Sequence, residues 1–150
     1  MKLGVIVFFI ILILGGCVDF ANFQLNLGNL GYFLDLGSLV IVLVPTIAFA
    51  IGAYSWETYG KTWSIPFGNP ENCEQSELVE VNKCLNFMGN MSVVMGIIGT
   101  FIGVILLLNF LQQGVDISRA IAIAVISLFY GILFKALFMF ASSKVEKYIK

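Results

Sequence analysis

Residues 91–141 read MSVVMGIIGTFIGVILLLNFLQQGVDISRAIAIAVISLFYGILFKALFMFA, two apolar segments joined by a short polar turn at residues 112–117. At about 1.5 Å of rise per residue, about 20 helical residues cross a hydrocarbon core of about 30 Å, so each half is long enough to span a bilayer. In the first half Gly96, Thr100, Gly103 and Leu107 recur at i, i+4, i+7 and i+11 and so share one helical face. Ala120, Ala124, Ser127, Gly131 and Lys135 do the same in the second. Each predicted helix therefore carries a stripe of small residues with one hydroxyl near mid-span. That pattern fits close helix packing, or a narrow path lined by hydroxyl oxygens.

The rest of the composition agrees with a membrane setting. Of 150 residues, 59% are hydrophobic and 11% charged, where a soluble domain carries about a quarter charged residues. A net charge of −1 gives no electrostatic case for nucleic acid. Histidine is absent, which removes the commonest general base and the commonest transition-metal ligand. No nucleophile–base pair or paired carboxylates stand out, so no enzyme, no catalytic residue and no cofactor are expected. Cys73 and Cys84 alone cannot complete a zinc site, so no metal is expected either.

Working outward, the chain reads as one all-α membrane domain over residues 1–150, with four spans at about 3–20, 36–54, 90–111 and 116–142. MKLGVIVFFIILILGGC (1–17) reads as a first span. The alternative is a lipoprotein signal ending in Leu14-Gly15-Gly16-Cys17, which would make the chain an acylated accessory protein. Gly28, Asn29 and Gly31 mark a turn in the 18–35 loop. Pro45 interrupts the backbone bonding of the second span, and Thr46 is expected to satisfy the freed carbonyl. Residues 55–88 are the polar segment, in which Leu78, Val79, Val81 and Leu85 among glutamates predict a short amphipathic helix on the membrane surface. Asp116, three residues before Arg119, is expected to cap the fourth span. Gly96, Gly99 and Gly103 are expected to hold an oligomer by close backbone contact, Gly99 and Gly103 forming a GxxxG pair. Lys135 is expected either to snorkel to the membrane edge or to stand at the mouth of a path.

Lys2, Lys61, Lys83, Lys144, Lys147 and Lys150 fall on one side of such a four-span layout. The positive-inside rule then places both termini and residues 55–88 in the cytoplasm. No span contains a mid-membrane Asp, Glu or His. Hydroxyls do not titrate, so if the chain helps move protons the titrating carboxylate must belong to a partner.

Three stretches resemble the MotA/TolQ/ExbB family of ion-driven motor subunits, nearest its MotA branch. They are FLDLGSLVIVL (33–43) with Pro45-Thr46, GIIGTFIG (96–103) and ISRAIAIAVISLFYG (117–131). The resemblance implies a homopentamer in a bacterial inner membrane around a dimer of MotB-, ExbD- or TolR-like single-span partners. An aspartate of the partner would take up and release H+ or Na+, and the chain would act as a stator or channel subunit turning ion flow into work. Thr100 and Ser127 would then match hydroxyls of the ion pathway, with Gly96, Gly99, Gly103, Ala120, Ala124 and Gly131 forming the packed wall. Two departures favour a non-conducting scaffold: Leu128 stands where related sequences often carry threonine, and Lys135 lies in a cation-pathway stripe. Residues 55–88 also occupy the place of a far larger cytoplasmic domain in flagellar members.

Overall fold

The computed structural model describes residues 18–19, 24–25, 35–68, 73–113 and 117–149. The chain divides into two compact units, 1–36 and 37–150. In the first, Val18–Asp19 (β1) pairs antiparallel with Gln24–Leu25 (β2), Val18 opposite Leu25 and Asp19 opposite Gln24. Apart from this two-residue ladder, every regular element among the described residues is helical, in line with the expected fold class. The rest of the expected first span, the Leu14–Cys17 motif and the Gly28–Gly31 turn lie outside the described residues.

The other elements are helical: Leu36–Tyr54 (α1), Trp56–Phe67 (α2), Gln75–Gln113 (α3) and Ser118–Glu146 (α4). Three of them, α1, α3 and α4, are long and apolar enough to cross a membrane. At 19 residues α1 is about 28 Å long and just crosses the hydrocarbon core. The 39 residues of α3 and 29 of α4 give about 58 and 43 Å, so both must project beyond it. The ionisable residues of α3 all lie between Gln75 and Asn90, and Ser142–Glu146 is the polar C-terminal end of α4.

Within α1, Ser38, Val42, Thr46 and Ala50 are buried at a four-residue interval, which fixes the face turned to the bundle. Pro45 removes the N–H that would bond Ile41 O. Thr46 Oγ1 donates instead to Val42 O, at 2.7 Å, so the expected local repair falls one carbonyl away from the freed one.

The predicted amphipathic surface helix and the third span are one continuous helix. Leu78, Val81, Cys84, Leu85 and Met88 are buried with Ala50, Ile65, Phe138 and Val145, so their apolar face meets other helices and not lipid headgroups. The alternation of these residues with glutamates carried the amphipathicity correctly and its partner wrongly. A second cluster, Val42, Met95 and Tyr130, fills the bundle within the spans.

Helix α2 was not foreseen, because Thr58, Gly60, Thr62, Ser64 and Pro66 are weak helix formers. Its support is local and tertiary. Ser55 Oγ accepts from Thr58 N at 3.3 Å, and Lys61 Nζ bridges Glu57 Oε1 (2.7 Å) and Glu77 Oε1 (2.9 Å). Thr58 Oγ1 donates to Glu80 Oε1 at 3.0 Å, and Lys144 Nζ donates to Pro66 O. The hydrogen bonds of Lys61 to Glu57, then to Glu77, push its ammonium well above the ordinary lysine range. The same contact with Lys61 holds the Glu57 carboxyl below the ordinary carboxylate value. Ser55 links α1 to α2 at φ 95°, the sole non-glycine with positive φ among the described residues.

Helix α4 begins two residues later than expected. Ile117 stands at its cap with no side-chain hydrogen bond, and Asp116, the expected cap, lies outside the described residues.

Candidate functional site

The stripes of α3 and α4 meet each other along an antiparallel seam. At the far end Gly103 lies so near Ala124 that a Cβ on it would sit 2.7 Å from the alanine N and Cβ. One turn on, a Cβ on Gly99 would meet Ser127 Cβ at 2.7 Å and Oγ at 2.8 Å. Gly96 faces Gly131, where a Cβ on either would come within 3.0 Å of the other's Cα. These glycines bring together two helices of one chain. The expectation that they hold the oligomer directly is therefore corrected: their close contact is spent within the subunit.

Such a seam requires glycine because real Cβ contacts almost never fall below 3.0 Å. Gly89 is an instructive exception, since its nearest neighbour would be Phe138 Cβ at 3.5 Å, an ordinary contact. The seam is thus tightest inside the spans and relaxes toward the polar end. With no aqueous driving force between apolar helices in lipid, backbone approach of this kind supplies the packing attraction.

Both hydroxyls singled out in the sequence lie on this seam. Thr100 Oγ1 is 3.0 Å from Gly96 O of its own helix and 3.0 Å from Ala124 O across the seam. Ser127 Oγ donates to Ile123 O at 2.8 Å and is fully buried, with α3 and Ile41 of α1 around Gly99. Thr100 is half-buried. In both residues the proton is committed to backbone carbonyls, leaving the oxygen lone pairs as the free function. Such an oxygen can accept a hydrogen bond or coordinate a cation, and it does not take up and release a proton near neutral pH. Leu128, beside Ser127, is 37% exposed and points away from the seam.

Further polar groups join this arrangement that the sequence reading passed over. Ser92 Oγ is 2.9 Å from Gly89 O and 3.1 Å from Gly131 O and is fully buried. It lies one turn before Gly96, so the stripe of Gly96, Gly99 and Gly103 already pointed to it. Ser38 Oγ of α1 approaches Ile123 O at 3.4 Å. Lys135 Nζ donates to Asn90 Oδ1 at 2.8 Å, near the polar end of the seam. Asn90 carried no periodic signal. From Gln113 to Asn90 the helix rises about 34 Å, so a span between these two residues would set this contact at the edge of the hydrocarbon layer. Gly96, Gly99, Gly103, Ala124, Ser127 and Gly131 are thus in one contact surface. Lys135 stands at its end, and the Ala120 side chain lies outside the described residues.

Residues 71–150, more than half of the chain, match one protein-family model. The chain belongs to the MotA/TolQ/ExbB proton channel family. No curated protein and no solved structure matches it. The MotA/TolQ/ExbB match takes in all of α3 and α4, and hence the whole seam. The stretches 96–103 and 117–131 fall within it, whereas 33–46 and the rest of α1 precede it. This MotA/TolQ/ExbB member is a membrane protein with three described apolar helices long enough to span.

Proposed function

We propose that the chain is a shell-forming subunit of an ion-driven machine in a bacterial inner membrane. Five copies surround a dimer of single-span partner chains of the MotB, ExbD or TolR kind. Ion uptake and release at a partner carboxylate drives movement of shell against partner, as in a MotA-like stator. Family membership supports this reading at the level of proton channels. One observation carries it further: from Met91 to Gln113 the chain has no ionisable side chain, and the seam offers only hydroxyl and carbonyl oxygens. A proton needs a titrating group to be taken up and released, so conduction here requires a carboxylate from outside the chain. The half-buried Thr100 oxygen is the group we assign to meet the ion, with Ser127 holding the wall behind it. The lysine distribution favours both termini and residues 55–88 on the cytoplasmic side. The family's description favours H+ over Na+ as the ion.

A second reading is a shell that has lost conduction and serves as a scaffold. It is favoured by the complete burial of Ser127, the outward-facing Leu128 and the cationic Lys135 near the polar end of the seam. One experiment separates the two. The chain is purified with its co-expressed single-span neighbour, its copy number is read by native mass spectrometry, and proton influx into proteoliposomes is followed with a trapped pH dye. The motor reading expects a pentamer, no flux without the partner, and flux lost in Thr100→Val with assembly intact. A pentamer that never conducts moves the assignment to the scaffold. A monomer or dimer overturns both.

A further inference from the structure

We infer that α2 is a membrane-interface helix whose aromatic face rests in the lipid headgroup layer. The helix has three distinct sectors. Thr58, Thr62, Ile65 and Pro66 are buried against the bundle. Glu57, Lys61 and Ser64 form a polar sector about a third of a turn away. The remaining sector holds Trp56, Gly60, Trp63 and Phe67, spaced i, i+4, i+7 and i+11 on one face. Its large side chains are exposed: Trp56 71%, Trp63 48% and Phe67 59%.

Lipid is the occupant this face fits. Helix α2 starts one residue after α1, whose apolar span ends at Tyr54, so Trp56 stands within about two residues of the membrane boundary. The face continues that of the spans. Trp63 meets Phe138 of α4 edge-to-face, ring centroids 6.3 Å apart, and the next two residues, Met139 and Phe140, are 57% and 41% exposed. Phe138 in turn lies opposite Gly89, one residue from the Asn90–Lys135 contact at the hydrocarbon edge. Tryptophan is favoured at that depth because its ring is apolar and its indole N–H still reaches water or headgroup oxygens. A helix with tryptophan and phenylalanine on one face and charges on another lies in the interface plane. The bundle side supplies the third contact, so α2 would brace the projecting ends of α3 and α4 against the membrane surface.

Trp56 and Trp63 are the chain's two tryptophans, so intrinsic fluorescence reports on α2 alone. The full chain is reconstituted in phosphatidylcholine vesicles brominated either near the headgroup or deep in the acyl chain, and quenching by aqueous iodide is measured alongside. Trp56→Phe and Trp63→Phe assign each signal. Lipid docking predicts a blue-shifted emission, several-fold stronger quenching by shallow than by deep bromine, and weak quenching by iodide. Strong iodide quenching with none by bromolipid puts the face in water and overturns the proposal. Quenching by neither means that protein covers the face, a second copy or another part of this chain, and also overturns it. None of these readouts depends on ion flux or on the partner, so the result stands apart from the fate of the motor reading.

Discussion

The seam makes a quantitative demand on one residue. Replacing Gly103 with alanine adds a single carbon that would sit 2.7 Å from Ala124 N and Cβ and 2.8 Å from its Cα. Non-bonded carbons rest at about 3.5–4.0 Å, so α3 and α4 must separate locally by about 1 Å. Separation of that size would lengthen the Thr100 Oγ1 to Ala124 O contact from 3.0 Å to about 4 Å, beyond a hydrogen bond. Overpacking of this kind costs about 1–3 kcal/mol, and an interhelical hydrogen bond in a membrane protein contributes about 0.6 kcal/mol. Against these stands the gain of about 0.5–1 kcal/mol for alanine over glycine within a helix. The net expectation is a loss of about 1–3 kcal/mol. Gly52 is the matched control, since a Cβ there meets nothing within 4 Å, and Gly52→Ala should stabilise by about 0.5–1 kcal/mol.

Cys84 provides the assay. It is fully buried among α1, α2, α3 and α4, so in a Cys17→Ser/Cys73→Ser background a thiol-reactive fluorogenic dye labels it as the bundle opens on heating. At about 2–4 °C per kcal/mol, Gly103→Ala should lower the midpoint by about 2–12 °C while Gly52→Ala raises it slightly. Gly131→Ala, whose new carbon would fall 2.7 Å from Ser92 O, should behave like Gly103→Ala. If both seam variants melt with the parent, the two helices are not packed backbone to backbone, and the geometry assigned to the site is wrong.

Other outcomes follow from the polar end. Ser55 holds φ 95° and ψ 156°, a region nearly reserved for glycine, at a cost of about 1–3 kcal/mol. Ser55→Gly should relieve it and lose only a few tenths of a kcal/mol at the cap, raising the melting midpoint, whereas Ser55→Ala keeps the strain and loses about 1 kcal/mol of capping. Lys61, which ties α2 to Glu77 of α3 as well as to Glu57 of its own helix, should make the docking of α2 independent of pH across the neutral range. Glu57 is lowered, so its contribution is complete above the ordinary carboxylate value and fades only as the pH falls through the depressed one. Lys61 is raised, so its contribution is complete below the ordinary lysine value and fades only above it. Tryptophan emission followed from pH 5 to 9 should therefore be flat, and a transition near neutrality would place control of α2 elsewhere. At the seam itself, Ser127→Ala removes a hydroxyl bonded to its own helix and should leave the melting midpoint nearly unchanged, so any loss of flux in that variant would be chemical and not structural.

Much of the seam was legible because its signal is periodic. Small residues at i, i+4 and i+7 can only serve contact on one face, and Gly96, Gly99, Gly103, Ala124, Ser127 and Gly131 meet there. What periodicity cannot say is which helix lies opposite, so the same stripe fits an oligomer as well as the α3–α4 pair. The continuity of α3 was missed for a related reason. The change from glutamate-rich to apolar composition near Met88, with Gly89 and Asn90 beside it, resembles an element boundary, but the helix runs through both, and neither composition nor a lone glycine ends a helix. Helix α2 was hidden because its stability lies in partners from distant sequence, Lys61 with Glu77 and Pro66 with Lys144. A window of local propensities contains none of them.

The placement of the hydroxyls changes how a pathway must be built. A stripe read from sequence puts Thr100 and Ser127 side by side as equal lining groups. Their surroundings divide the work: Ser127 is enclosed by α3 and α1 with its proton on Ile123 O, while Thr100 remains half-buried at the edge of the same seam. On the proposed reading, an ion arriving at the edge of the α3–α4 seam would therefore meet Thr100 before Ser127, on helices whose outward side chains are apolar. A single oxygen in such a wall is too few ligands to hold a dehydrated cation, since hard cations such as Ca2+ and Mg2+ take about six or more oxygens. On the proposed reading, a shell built from this chain would be a poor ion conductor by itself. Each subunit would supply one oxygen to an ion whose charge is carried by a partner's carboxylate, and the ion would have no resting place without that partner.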